Sequence, residues 1–255
     1  MPTKTILIGA IGALVVVTAL ALSLSLLIPH KPAEPTEPGD LQKIGIGERI
    51  KLPEPRYEGE TSVEEALARR RSIRAYSGAN LTLEEVSQLL WAAQGITAPW
   101  KEGTALQAYV TGATAASAGG LYPLEVYLVV GEIEGFDKGV YKYRPENHEL
   151  EKVKEGDVRK DLAKAALGQE CVKDAAINIV FTAVYERTTV KYGERGERYV
   201  HMEVGHAAEN VYLQTVSLGL GTVVIGAFFD DEIKKVLTAP EKEEPLYIMP
   251  VGRRG

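Results

Sequence analysis

Residues 5–28 carry no charge and are mostly Ile, Leu, Val and Ala, apolar on every side and not along one helical stripe. At about 1.5 Å per residue, such a run is long enough to cross a hydrocarbon core of about 30 Å. The pattern predicts a single transmembrane helix. It is long for a signal peptide, no clear small-x-small site follows it, and no cysteine lies near it to take a lipid. Lys4 favours an inside amino terminus, although His30 and Lys31 blunt the charge asymmetry. The expectation is an uncleaved, single-pass membrane anchor with the remaining chain on the extracytoplasmic side.

Beyond it, Pro29 to Asp40 holds four prolines, a glycine and two glutamates, which is the composition of a stiff, extended linker. The expected organisation is an anchor over 1–28, a linker and domain entry over 29–60, and a folded domain over 61–255. Helical periodicity starts at Thr61-Ser62, where Glu64 and Glu65 follow and Val63, Ala66 and Leu67 share a face. Thr82 with Glu85 starts a second helix, with Val86, Leu89, Leu90 and Ala93 on one side and Gly95 past its end. A loop rich in Thr, Ala and Gly spans 96–120. Leu124 to Gly131 reads as a strand, and Val140 to Arg144 and Leu150 to Val153 as a hairpin about Pro145–His148. Asp157 to Leu167 reads as a short helix, Ile177 to Val184 as a buried β-branched strand, and Glu197 to Leu218 as the longest helix of the domain. Strands over 222–228 and 246–251 bracket a helix from Asp230 to Leu237. This order predicts an α+β fold with one mixed, largely antiparallel sheet, flanked by helices of which one is long and central.

Composition adds little until charge is considered. The 255 residues are 45% hydrophobic and 25% charged, an ordinary globular balance. Formal net charge is −6 and no basic stripe is visible, which argues against a nucleic-acid partner. A lone cysteine, Cys171, rules out an internal disulfide. Against that acidic background, Ala68–Ser77 concentrates Arg69, Arg70, Arg71 and Arg74 around Ser72. Guanidinium forks and a hydroxyl suit a bound phosphate; the same residues would also suit a solvated helix end.

Other chemistries lack their motifs. His201 and His206 are five residues apart, the wrong spacing for a zinc pair on one helix face. Ser117 sits in Ala-Ser-Ala-Gly and not in a Gly-x-Ser-x-Gly elbow. No strand feeds a Gly-x-Gly-x-x-Gly turn. What remains are two small-residue segments, Ser117–Gly120 and Ile225–Ala227, through which backbone could approach a flat ring closely. Arg253 and Arg254 add positive charge at the end of the last strand. Together these features suggest a phosphate clamp plus a closely approached ring.

Five segments in register then carry a resemblance. Arg70-Arg71-Ser72-Ile73-Arg74-Ala75-Tyr76 resembles the amino-terminal signature of nitroreductase-like flavoproteins. Ser117-Ala118-Gly119-Gly120-Leu121-Tyr122-Pro123-Leu124-Glu125 is similar to a motif of the SagB/ThcOx dehydrogenase branch. So are Gly205–Gln214, Gly219-Leu220-Gly221 leading to Ile225–Phe228, and the closing Leu246–Arg253. The resemblance implies a nitroreductase-like fold and a homodimer with FMN at the subunit interface. By position, Arg70, Arg71, Ser72 and Arg74 would hold the phosphate and ribityl chain, and Arg253 would complete that clamp. Ser117, Ala118 and Gly119 would line the ring, with a backbone N–H of Gly226 or Ala227 near flavin N5. Lys191 and Tyr192 resemble the catalytic pair that azoline-oxidising members use for proton removal. The implied activity is hydride transfer through FMN, either from NAD(P)H to an electron-poor small molecule or from an azoline-like peptide substrate. A non-catalytic flavin-binding or redox-partner protein is the alternative. Two departures stand out. Ala116 replaces the family's usual proline, and the chain closes at Gly255, which shifts the expected dimer contacts to the 197–218 helix or the 41–60 segment.

Overall fold

The frame is an antiparallel sheet of seven strands in the order β1-β6-β5-β4-β7-β9-β8. In the computed structural model, which describes residues 44–98 and 112–255, these are β1 (Arg49–Lys51), β4 (Leu124–Val130), β5 (Gly139–Arg144), β6 (Glu149–Glu155), β7 (Ile177–Ala183), β8 (Leu220–Thr222) and β9 (Glu244–Arg253). A separate pair, β2 (Ile96–Ala98) and β3 (Gly112–Ala113), lies within the expected 96–120 loop. Every named pairing in the large sheet is antiparallel. A parallel contact survives only as isolated bridges, one of which joins Ser72 to Thr222. All of this belongs to a unit spanning Leu41–Gly255.

Strand alternation sorts the two faces. Leu124, Val126, Leu128 and Val130 of β4, with Ile177, Ile179, Phe181 and Ala183 of β7, enter one core; Tyr127, Val129 and Val180 enter the other. The first core is covered by α2 (Leu83–Gln94) and α6 (Arg195–Ser217), the second by α3 (Arg159–Ala165), α4 (Glu170–Asp174) and α7 (Asp230–Leu237). Two further helices, α1 (Val63–Arg69) and α5 (Glu186–Tyr192), complete the described set. At the start of α2 the Thr82 hydroxyl accepts from the Glu85 N–H, and the Glu85 carboxylate accepts from the Thr82 N–H, a reciprocal cap.

One expectation about fold class and localisation is corrected. Among the described residues, no helix is long and apolar enough to cross a membrane. The longest, α6, has the length but carries Arg195, Glu197, Arg198, Glu203 and Glu209, which hydrocarbon would not accept. The predicted transmembrane segment 5–28 and the linker behind it lie outside the described residues. Neither single-pass anchoring nor extracytoplasmic placement is carried further.

Candidate active site

The arginine-rich segment is built as an appendage to the β8 edge. Helix α1 stops where the Arg70 N–H closes onto the Ala66 carbonyl. Arg71 turns its guanidinium back onto the Ala68 and Arg70 carbonyls, at 3.0 and 2.7 Å, and Arg69 pairs with Glu65 one turn earlier. The chain then leaves extended, and the Ile73 N–H donates to the Thr222 carbonyl at 2.8 Å. The approach needs glycine at 221, where a Cβ would lie 2.7 Å from Ile73 Cγ2.

Tyr212 of α6 ties this segment to the turn after β8. Its hydroxyl accepts from the Val224 N–H at 2.8 Å and meets Ser72 Oγ at 3.1 Å, and the Arg70 guanidinium lies 5.0 Å from its ring centroid. Ser72 and Arg74 are exposed, and Arg70 is half-buried. Arg74 acts electrostatically on Tyr76 and Cys171, whose acidic groups burial drives upward while the arginine opposes. Among the described residues neither Arg70 nor Arg74 has a carboxylate partner, whereas Arg69 and Arg253 do. Gly226 and Ala227 follow two residues after Val224 and are exposed, held by the Ile225–Ile248 pair and by Gln169 Nε2 on the Ala227 carbonyl at 3.3 Å. Arg253 points elsewhere: its guanidinium donates to the Asn80 carbonyl and to Glu85, both at 3.0 Å, at the capped start of α2.

A second cluster forms further along the same long helix. Asn210 Nδ2 donates to the Thr114 carbonyl at 2.9 Å, His206 Nδ1 meets the Ala116 carbonyl at 3.2 Å, and Glu203 faces the Ser117 hydroxyl and Ala118 N–H. Positions 203, 206 and 210 share one helix face, so α6 reads the loop backbone residue by residue. Ser117 Oγ in turn accepts from the Tyr122 N–H at 2.9 Å. Gly119 has φ +65°, and a Cβ there would lie 2.6 Å from Tyr192 Oη and 2.9 Å from Lys191 Nζ. Lys191 and Tyr192 therefore close on the Ser117–Gly119 loop from the end of α5.

That helix is fixed by Arg187, which donates to the Tyr122 carbonyl at 2.9 Å and pairs with Glu125. Glu125 also meets Lys142 at 3.0 Å, and Lys142 meets the buried Glu243 at 2.6 Å. Burial alone would raise the Glu125 carboxyl, but Lys142 and then Arg187 outweigh it and hold it below the ordinary carboxylate value. Glu203 is the opposite case. It is 2% exposed, burial pushes its carboxyl up to about 7 against the Ser117 and Ala118 donors, and its Oε1 has no hydrogen-bond partner among the described residues.

A family model described as the Nitroreductase family matches residues 67–253. The chain belongs to the nitroreductase family. It is 46% identical over 209 residues to the provisionally named nitroreductase MJ1384 of Methanocaldococcus jannaschii, covering 82% of this chain and 99% of that one. It is 26% identical to the trifolitoxin operon protein TfxC of Rhizobium leguminosarum bv. trifolii, over 85% of this chain and 62% of that one. Among solved structures, a provisionally named nitroreductase of Ralstonia eutropha superposes with a TM-score of 0.67 at 29% identity, over 89% of this chain and 99% of that one.

In this nitroreductase-family chain the sequence-predicted residues fall into two groups. Arg70 and Ser72 meet Tyr212, which also holds Val224 two residues before Gly226, while Arg74 lies toward Tyr76 and Cys171, Ala227 toward Gln169, and Arg71 is turned to the helix end. Ser117, Ala118, Gly119, Lys191 and Tyr192 gather around Glu203. Tyr212 and Glu203 are separated by about 13 Å of helix rise. The cavities of about 440 and 600 Å³ beside Trp91 include none of these predicted residues. Tyr212, Glu203 and Arg187 are the functional candidates that sequence reading missed. Glu203 left a signal, since it sits on the same buried stripe as Val200, Val204, Ala207 and Val211. An acid on an apolar stripe calls for a reason.

Proposed function

We propose that the chain is an FMN-dependent oxidoreductase, acting as a homodimer with the cofactor between subunits. The observation that carries this reading is the pair Arg70 and Arg74, without a carboxylate partner among the described residues, flanking Ser72, which Tyr212 joins to Val224 just before the exposed Gly226–Ala227 turn. Two uncompensated guanidinium groups and a hydroxyl fit the phosphate of a mononucleotide, and exposed backbone N–H groups fit the acceptor edge of its ring. Bound FMN would supply a centre that accepts and returns hydride.

The chain's own residues divide the remaining work. Arg70, Ser72 and Arg74 bind the phosphate end, and Tyr212 holds Ser72 and the following turn in a common frame. Arg71 and Arg253 are secondary, because each would first have to leave its present partners. The Ser117–Gly119 loop offers small residues to a ring face, and Lys191 and Tyr192 stand over that loop to move a proton at the substrate. Their convergence on Gly119 favours a substrate that gives up a proton with its hydride, as an azoline-like peptide does, over simple NAD(P)H-driven reduction of an electron-poor small molecule. A non-catalytic flavin-binding role is the competing possibility.

Anaerobic addition of NADH or NADPH to the flavin-loaded protein separates these readings. Slow bleaching by both nucleotides, with rapid bleaching by a peptide azoline, is expected. Rapid bleaching by a nicotinamide alone would assign the reductase activity instead, and no bleaching by any donor would assign the non-catalytic role.

A further inference from the structure

We propose that Glu203 is a positioning residue, a proton-dependent latch that holds the Ser117–Gly119 loop against the long helix α6. The proposal rests on the flavin reading only for what that loop faces.

Three observations converge on it. Glu203 is 2% exposed, and the Ser117–Ala118 segment that faces it belongs to the loop resting on this stretch of α6. One carboxyl oxygen, Oε1, is buried with no hydrogen-bond partner among the described residues, a setting that disfavours a full negative charge. Asn210 and His206, on the same face of α6, hold the Thr114 and Ala116 carbonyls at the start of the loop, so the part from Ser117 onward can lift from Glu203 about that held end. Among titratable groups, Tyr122 from the loop acts on this carboxyl; Lys191 and Tyr192 of α5 lie against Gly119, Tyr199 of α6 packs on Tyr192, and His206 of α6 holds the Ala116 carbonyl.

The direction follows from linkage. With the loop closed, burial holds the carboxyl near 7; with the loop open, water returns it toward the ordinary 4.5. The closed loop thus keeps a proton that the open loop releases, and opening grows as pH rises through that interval and levels off above it. Lifting the loop would also carry Gly119 away from Lys191 and Tyr192, so the same proton sets how the candidate catalytic pair meets its loop.

Amide hydrogen exchange of residues 114–120 in the full chain without added flavin, corrected for intrinsic rates, reads this directly. Between pH 5 and 8 the opening equilibrium is expected to rise on the order of 100-fold. Glu203→Gln should flatten it. Ser117→Ala, which removes a donor that favours the charged form, should move the levelling-off to higher pH and serves if Glu203→Gln does not fold. An equal pH dependence in Glu203→Gln would assign the effect to a group other than Glu203 and overturn the proposal. So would a flat profile in the unmodified chain, or an unmoved midpoint in Ser117→Ala. FMN uptake measured separately judges the flavin reading: its failure at every pH would remove that reading while exchange still decides the latch.

Discussion

The two clusters on α6 solve opposite electrostatic problems. Around Tyr212, positive charge is left without a carboxylate partner among the described residues, and the polypeptide is fixed by backbone pairing to β8. Around Glu203, a carboxyl is sealed under a loop and its pKa is pushed up to about 7, so it holds its proton below that pH, and the chain is fixed by side chains reaching loop carbonyls. The first arrangement is built to receive an anion from outside. The second is built to keep charge out of the region that faces Lys191 and Tyr192. One helix joins them, so the difference in local charge is set about two and a half turns apart on a single rigid element.

The sharpest way to break the comparison is to remove the first cluster's charge. Arg70→Ala with Arg74→Ala should weaken FMN binding by at least about 3 kcal/mol, read by flavin fluorescence titration. Unchanged affinity would make the segment a solvated helix end.

The second cluster should respond to pH. A raised carboxyl pKa means that the unfolded chain releases this proton first, so Glu203 penalises the fold increasingly as pH rises from 4.5 to about 7. Glu203→Gln should lift that penalty, by up to about 3 kcal/mol above pH 7 and by little below pH 5, in thermal or urea unfolding. A difference between the two proteins that does not change with pH would contradict the neutral buried acid.

Tyr212→Phe tests the frame of the first cluster. It strips the Val224 N–H of its acceptor and Ser72 of its partner, and should cost about 1–3 kcal/mol of stability together with a smaller loss of FMN affinity. Arg71→Ala should be the mildest change, within about 0.5 kcal/mol of the parent in both stability and flavin binding. A large loss of FMN affinity there would mean that Arg71 leaves its helix-end carbonyls to join the clamp.

Legibility in the sequence followed the range of the interaction. Thr82 and Glu85 announced the start of α2 because a cap is closed within four residues. The mostly apolar run of β7, rich in β-branched residues, announced a strand covered on both faces. Helix α5 left no such trace: Glu186–Tyr192 has only Thr188 buried, and its place depends on Arg187 reaching Tyr122 and Glu125, more than sixty residues upstream. β1 likewise exists through its pairing with β6, nearly a hundred residues later. Within the arginine segment, composition could not separate Arg71, turned inward on its own helix end, from Arg70 and Arg74, which stay open. That distinction is made by Tyr212 and Thr222, about 140 residues away. The charge pairing of Arg253 with Glu85 is equally non-local.

The central claim, that the open basic cluster is the phosphate end of a flavin site, is tested most directly by the visible spectrum of the purified chain before and after addition of FMN. A flavin band retained through purification, or taken up at one FMN per chain, is the predicted result. A colourless protein that leaves added FMN free in solution would contradict it.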